Sequence, residues 1–143
     1  MTSDAPTIHA SAVALRLGNA WRGILIRGAS GAGKSDLALR LMDIGARLIG
    51  DDYVHLWTSS DRLFATAPAS IAGLIEVRGL GIRTVTPLKT ASISLVIDLI
   101  DHAAERMPET QEVTLCGVDV PLLQLDPRPA SAPTLVIRAL EAL

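Results

Sequence analysis

A glycine-rich segment of eight residues constrains this chain more than any other feature. It has the phosphate-loop pattern, in which a glycine and four further residues precede Gly-Lys-Ser, and it is Gly28-Ala29-Ser30-Gly31-Ala32-Gly33-Lys34-Ser35. Glycines let backbone N–H groups turn toward a phosphate, and the helix that follows directs its positive end at the same anion. Lys34 is predicted to reach the β- and γ-phosphates and Ser35 to bind Mg²⁺. The pattern predicts binding of a nucleoside triphosphate with Mg²⁺ and transfer of a phosphoryl group.

The residues on either side of this segment favour the same interpretation. A short apolar run, residues 23–27, precedes the loop as a strand, and residues 34–44 have apolar side chains at helical spacing. A strand that leads into the loop and a helix that leaves it are the context that the motif requires.

The remaining chain predicts a strand-rich α/β domain with a mixed sheet, a single nucleotide-binding unit over residues 1–143. The second predicted helix covers residues 134–143. Further strands are predicted at residues 9–17, 47–50, 53–58, 62–66, 75–77, 82–85, 93–100, 113–116 and 118–123.

Charge and composition exclude several classes of function. The net charge is −2, so neither a nucleic acid nor an anionic membrane is a predicted partner. The single cysteine, Cys116, forms no intramolecular disulfide and no cysteine zinc site. No apolar stretch is long enough to span a bilayer, and residues 1–8 lack the pattern of a signal peptide. We therefore predict a cytoplasmic protein. Its apolar content of 49% fits either a buried sheet with a subunit interface or a well-packed monomer.

Two acidic sites compete for the catalytic role. Asp51 and Asp52 end the strand at residues 47–50, which is expected to lie beside the strand of the phosphate loop and to open toward the phosphates. Adjacent side chains on a strand point to opposite faces, so one of the two carboxylates is expected to face the nucleotide. Asp98, after Leu95-Val96-Ile97, fits the usual approach of a magnesium-binding aspartate to a phosphate loop. These residues alone leave both sites open.

Three stretches resemble the catalytic domain of HPr kinase/phosphorylase, the bifunctional enzyme that phosphorylates a serine of the phosphocarrier HPr. They are residues 23–35 followed by Asp36, residues 47–52, and the string Ile75-Glu76-Val77-Arg78-Gly79-Leu80-Gly81-Ile82. The resemblance covers residues 9–85. It implies a phosphate-loop kinase fold similar to that of phosphoenolpyruvate carboxykinase, a homo-oligomer that is typically a hexamer, and MgATP-dependent transfer to a serine of HPr.

The resemblance also implies roles for individual residues. Asp51 is implied as the catalytic carboxylate, which acts as general base in the kinase reaction and as general acid in phosphorolysis. His9 is implied as its partner, with Asp52 assisting, although the spacing from His9 to the loop is longer than in the family. Glu76 joins Ser35 as an implied metal ligand.

Arg78 is implied to contact phosphate or the protein partner, and Asp98 then has a structural role. The family's N-terminal domain has no counterpart in this sequence, which fits a short form. The family's C-terminal Arg-Pro-Gly-Arg-Asn stretch is matched only loosely, by Asp126-Pro127-Arg128-Pro129, so the role of Arg128 and the reverse reaction stay open. Residues 89–112 give no match. Two rivals remain, which are a related kinase of another protein or small molecule and an ATP-sensing module without catalysis.

Overall fold

The computed structural model describes residues 6–143. Residues 1–5 lie outside this range, so the prediction for residues 1–8 falls largely outside it. Two α-helices and eleven strands follow one another in the order β1 Thr7–His9, β2 Ser11–Leu17, β3 Ala20–Arg27, α1 Lys34–Met42, β4 Arg47–Gly50, β5 Tyr53–Ser59, β6 Arg62–Thr66, β7 Leu74–Val77, β8 Gly81–Thr84, β9 Ala91–Leu99, β10 Gln111–Leu115, β11 Val118–Leu125 and α2 Ala132–Glu141.

The elements occur where the sequence predicts them, with differences at their ends. The strand predicted at residues 9–17 is two strands, because Ala10 leaves the ladder and donates its N–H to the Asp52 carbonyl at 3.1 Å. Helix α1 ends at Met42, two residues early, and α2 begins at Ala132 and ends at Glu141. The α/β class with a mixed sheet is confirmed.

The strand of the phosphate loop lies in the middle of the main sheet. The sheet order is β1-β5-β6-β9-β3-β2-β4, and β11 also pairs with β9 and carries β10 at its outer edge. Strand β3 runs parallel to β9 and antiparallel to β2. Strands β7 and β8 form a separate hairpin.

One expectation about topology is wrong. Strand β4, which leads into Asp51 and Asp52, pairs antiparallel with β2 and not with β3. The reason is that both edges of β3 are already taken, one by its hairpin partner β2 and the other by β9. The parallel neighbour of the phosphate-loop strand is therefore β9, which carries Asp98.

Both faces of the central strands are buried. Ile24 and Ile26 of β3 pack on one face together with Leu37 of α1 and Val136 of α2. Leu25 points to the opposite face, into a second cluster with residues of β5 and β6. This alternation explains why the central strands are apolar throughout. The packing of Leu37 against Ile24 and Ile26 holds α1 against the strand that leads into the loop.

The two α-helices have nine and ten residues. Over residues 6–143, neither is long and apolar enough to cross a membrane.

Candidate functional site

An open cavity of about 740 Å³ lies over the N-terminus of α1. Three groups of residues line it. The first is the loop, residues 30–35; the second comes from strand ends and the β7–β8 hairpin and comprises His9, Ser11, Asp52, Glu76 and Arg78; the third comprises Asp36, Leu39, Arg40, Pro127 and Arg128. The cavity thus gathers the predicted site residues, apart from Gly28, Ala29 and Asp51, which are not in its lining.

The loop backbone depends on its glycines. Gly31 and Gly33 have φ angles of +81° and +104°, a left-handed conformation that disfavours side chains. A Cβ on Gly28 would come within 3.2 Å of the Cβ atoms of Ala32 and Leu99. Gly33 caps α1 without a side-chain hydrogen bond, so the cap leaves the first N–H groups of the helix available to bind an anion.

The ammonium of Lys34 crosses the loop. Its Nζ donates to the carbonyl oxygens of Gly28 and Ala29 at 2.9 and 3.0 Å, and the residue is only 6% exposed. Burial lowers the pKa of Lys34, while the nearby Asp52 and Asp51 act in the opposite direction. A phosphate in the loop would offer this cation a charged partner in place of two neutral carbonyls.

The buried carboxylate of Asp51 accepts hydrogen bonds from residues of three elements, β2, α1 and β7. The residue is 5% exposed. Its Oδ1 accepts hydrogen bonds from the hydroxyls of Ser11 (2.6 Å) and Ser35 (2.7 Å). Its Oδ2 accepts from Ser35 at 2.9 Å and from the Glu76 N–H at 3.1 Å. The carboxylate therefore fixes the hydroxyl that is predicted to bind magnesium.

Ser11 belongs to the site although sequence reasoning did not identify it. It is fully buried, and its hydroxyl has Asp51 as its partner. The only signal in the sequence was a polar residue that begins the apolar run Ala12-Val13-Ala14-Leu15.

Asp52 points the other way, into the cavity. Its φ of +69° turns the chain, and its side chain is 64% exposed. His9 Nε2 lies 3.1 Å from Asp52 Oδ1, and the His9 ring packs at a tilt on Tyr53, with centroids 5.3 Å apart. The expectation that two adjacent carboxylates diverge holds in the structure, and Asp52 is the one in the lining.

Glu76 lies on β7, and Arg78 lies in the turn that joins β7 to β8. Both line the cavity, and the N–H of Glu76 is held by Asp51. Within residues 6–143, no three His, Cys, Asp or Glu side chains are grouped to hold a metal ion by themselves. A hydroxyl and one carboxylate fit Mg²⁺, which usually takes its remaining ligands from water and substrate phosphates.

Asp98 forms a salt bridge with Arg27 outside the cavity. Its two carboxylate oxygens accept from Arg27 Nε at 2.7 Å and Nη2 at 2.9 Å. The two residues are register partners on the parallel strands β3 and β9, and Asp98 is not part of the cavity lining. This bidentate pair supports a structural role for Asp98.

Arg128, whose role the sequence left open, lies in the wall of the cavity. Its Nε and Nη2 donate to the two oxygens of Asp126 at 2.8 and 3.1 Å, and its backbone N–H donates to Oδ1 at 3.0 Å. These hydrogen bonds lower the pKa of Asp126 and raise the pKa of Arg128.

Comparison with known proteins places the chain in a family. Residues 5–142 match the model of the HPr serine kinase C-terminal domain. An HPr kinase/phosphorylase of Geobacillus thermodenitrificans is 38% identical over 120 residues, which are 75% of this chain and 39% of that protein. One of Clostridium tetani is 40% identical over 100 residues, which are 68% of this chain and 32% of the relative. The chain spans about two fifths or less of the length of these relatives.

A solved structure agrees over nearly the whole chain. The HPr(Ser) kinase/phosphatase from Coxiella burnetii superposes with a TM-score of 0.78 at 26% identity, covering 96% of this chain and 94% of that one. The family match, the identities and the shared fold lead to one conclusion: this chain is a member of the HPr serine kinase C-terminal domain family.

Proposed function

We propose that this protein is an ATP-dependent serine kinase that phosphorylates an HPr-like phosphocarrier protein. The observation that carries the proposal is the arrangement of one cavity. A phosphate loop lies beside a serine hydroxyl held by a buried carboxylate, and a second carboxylate, paired with a histidine, faces the open space. Family membership supports the kinase class and HPr as the acceptor.

The proposed roles follow from position. The loop N–H groups and Lys34 would hold the β- and γ-phosphates, and Ser35 and Glu76 would hold Mg²⁺. Arg78, which is exposed and lines the cavity, contacts the transferred phosphoryl group or the partner protein. Because phosphoryl transfer depends mainly on positioning and charge stabilisation, these groups supply most of the catalysis.

Two carboxylates are candidates for the group that takes the proton of the acceptor serine. The family resemblance implies Asp51. In this structure both of its carboxylate oxygens already accept hydrogen bonds, Oδ1 from Ser11 and Ser35, and Oδ2 from Ser35 and the Glu76 N–H. The geometry favours Asp52, because it lines the cavity beside His9 and an acceptor hydroxyl can reach it. In the second arrangement Asp51 orients Ser35 and Asp52 is the base.

Other predictions stay predictions. They are the reverse phosphorolysis, a homo-oligomer such as a hexamer, a cytoplasmic location, and the absence of nucleic-acid and membrane partners. A kinase of the same ancestry with another acceptor and an ATP sensor without catalysis are the two rival functions.

The decisive experiment is incubation of the protein with purified HPr, Mg²⁺ and ATP labelled at the γ-phosphate, followed by mass spectrometry of HPr. We expect one phosphoserine on HPr, and none on an HPr variant whose acceptor serine is alanine. Transfer to other proteins but not to HPr would favour the related kinase. Tight ATP binding without transfer to any acceptor would favour the sensor.

A further inference from the structure

We propose that the wall formed by Leu39, Pro127 and Arg128 binds the nucleoside of the triphosphate, with the base stacked on the Arg128 guanidinium. This inference rests on the proposed nucleotide-dependent function. It assigns the half of the ligand that the phosphate loop leaves unexplained.

The cavity lining combines two groups of residues of different chemistry. One group is Ser35, Glu76 and the Asp52–His9 pair, where the metal, the γ-phosphate and the acceptor hydroxyl would lie. The nucleoside is attached at the end of the triphosphate opposite the γ-phosphate, so we place it against lining residues outside this group. Apart from Ser11, the loop and Arg78, the other lining residues belong to α1 and to the segment between β11 and α2. Within residues 6–143, the side-chain hydrogen bonds and the ion pair of these residues stay within α1 and the segment between β11 and α2 and do not involve the Asp51 cluster.

Contacts within the protein hold the wall in place beside the loop. Arg40 Nη2 donates to the Pro127 carbonyl at 2.7 Å, and Arg40 Nε lies 3.1 Å from Asp36 on the same helix. The ring of Pro127 lies next to the loop, since a Cβ on Gly33 would meet its Cγ at 3.8 Å. These contacts fix the 127–128 segment against α1, and a rigid wall costs little further ordering when a ligand binds.

The surface chemistry suits a nucleoside better than a phosphate. Leu39 is half-buried and Pro127 is apolar, so both offer contact area to a base and a ribose. The Arg128 side chain is 66% exposed, while its charge is paired with Asp126 through two parallel hydrogen bonds. A guanidinium held in this way is a planar, oriented surface on which a base can stack. A phosphate would have to displace Asp126, whereas a base stacks on the free face.

Calorimetric titration separates the two halves of the ligand. The parent and its variants are titrated with MgATP and with magnesium tripolyphosphate, which has the phosphates but no nucleoside. We expect the parent to bind ATP more tightly than tripolyphosphate. Arg128→Ala should weaken ATP binding about three- to thirtyfold, the range for an arginine over a π-system, and change tripolyphosphate binding by less than about twofold. Leu39→Ala should show the same selectivity, with a thermal melt without ligand to check folding.

Two further variants make the test sharper. Arg128→Lys keeps the positive charge and loses the planar group, so we expect it to behave like Arg128→Ala. Arg83→Ala removes an exposed arginine from β8, outside the cavity lining, and should change neither affinity.

Several outcomes would overturn the proposal. An equal loss of both ligands in Arg128→Ala, or recovery of affinity in Arg128→Lys, would make Arg128 a phosphate ligand. Equal affinity of the parent for both ligands, or unchanged ATP binding in the Arg128 and Leu39 variants, would show that the nucleoside gains nothing from this wall. A parent that binds neither ligand would remove the proposed function as well. Selective loss of ATP binding together with failed transfer to HPr would leave this inference standing and refute only the acceptor.

Discussion

The hydroxyl of Ser35 donates to both carboxylate oxygens of Asp51, at 2.7 and 2.9 Å, across 16 residues of sequence. Ser35 belongs to the first turn of α1, and Asp51 directly follows β4, which pairs with β2. The contact therefore joins the phosphate loop to the end of β4. With its proton committed to Asp51, the hydroxyl oxygen keeps its lone pairs free for a metal ion. This contact connects the fold to the proposed chemistry.

Removal of the loop lysine should abolish nucleotide binding and leave the fold intact. At 100 times the dissociation constant, MgATP stabilises a protein by about 2.7 kcal/mol, and we expect this protection to disappear in Lys34→Ala. Lys89→Ala is the matched control, because Lys89 is the only other lysine and is exposed. Thermal melts with and without MgATP measure the effect. Equal protection of Lys34→Ala and the parent would show that the loop assignment is wrong.

Substitution of the adjacent residues Asp51 and Asp52, one at a time, should identify which carboxylate takes the proton of the acceptor serine. Loss of a general base typically slows a reaction about 10²–10⁴-fold. If Asp52 is the base, Asp52→Asn should lose this factor in single-turnover transfer to HPr and bind MgATP nearly as well as the parent. Asp51→Asn should then act mainly on the Mg²⁺ concentration that is required, because it disturbs Ser35. A large loss of rate at saturating Mg²⁺ in Asp51→Asn alone would assign the base to Asp51.

Asp98→Asn is the control for both variants. The Arg27–Asp98 pair lies outside the cavity lining, so we expect a small loss of stability and largely unchanged chemistry. If Asp98→Asn were inactive while the Asp51 and Asp52 variants stayed active, Asp98 would be the magnesium-binding aspartate of a generic phosphate-loop mechanism.

Glu76→Gln should weaken catalysis at limiting Mg²⁺ more than it weakens the fold. Glu76 is exposed and lines the cavity, so its carboxylate contributes little to packing. The amide retains the shape of the side chain and loses the charge that a hard cation prefers. Titration of phosphotransfer with Mg²⁺ should show a higher half-saturating concentration. The same titration curve as the parent would make Glu76 a surface residue without a metal role.

Ser11→Ala should affect both the fold and the metal site. A hydrogen bond to a charged group contributes about 1.5–3 kcal/mol, so we expect a loss of stability in that range by chemical denaturation. Since Asp51 then loses one of its anchors, the Mg²⁺ requirement should also rise. Ser59→Ala, at an exposed strand end, is the control. A destabilised variant with an unchanged Mg²⁺ requirement would limit Ser11 to packing.

The features that depend on neighbouring residues could be predicted from the sequence. The phosphate loop could be identified because eight consecutive residues define it, and the flanking strand and helix follow from local periodicity. The Glu76–Arg78 string and the paired Asp51 and Asp52 could be found for the same reason.

Which of these residues come into contact, and which way their side chains face, depends on how the whole chain folds. Strand β4 pairs with β2 because β9 occupies the remaining edge of β3. No local pattern in β4 records this outcome, because β9 lies far along the chain, at Ala91–Leu99. For the same reason Asp51 is buried against Ser11, Asp98 is paired with Arg27, and Arg128 stands in the wall of the cavity. Hydrogen bonds between residues far apart in sequence depend on strand order and register, which are properties of the whole sheet and not of any single segment.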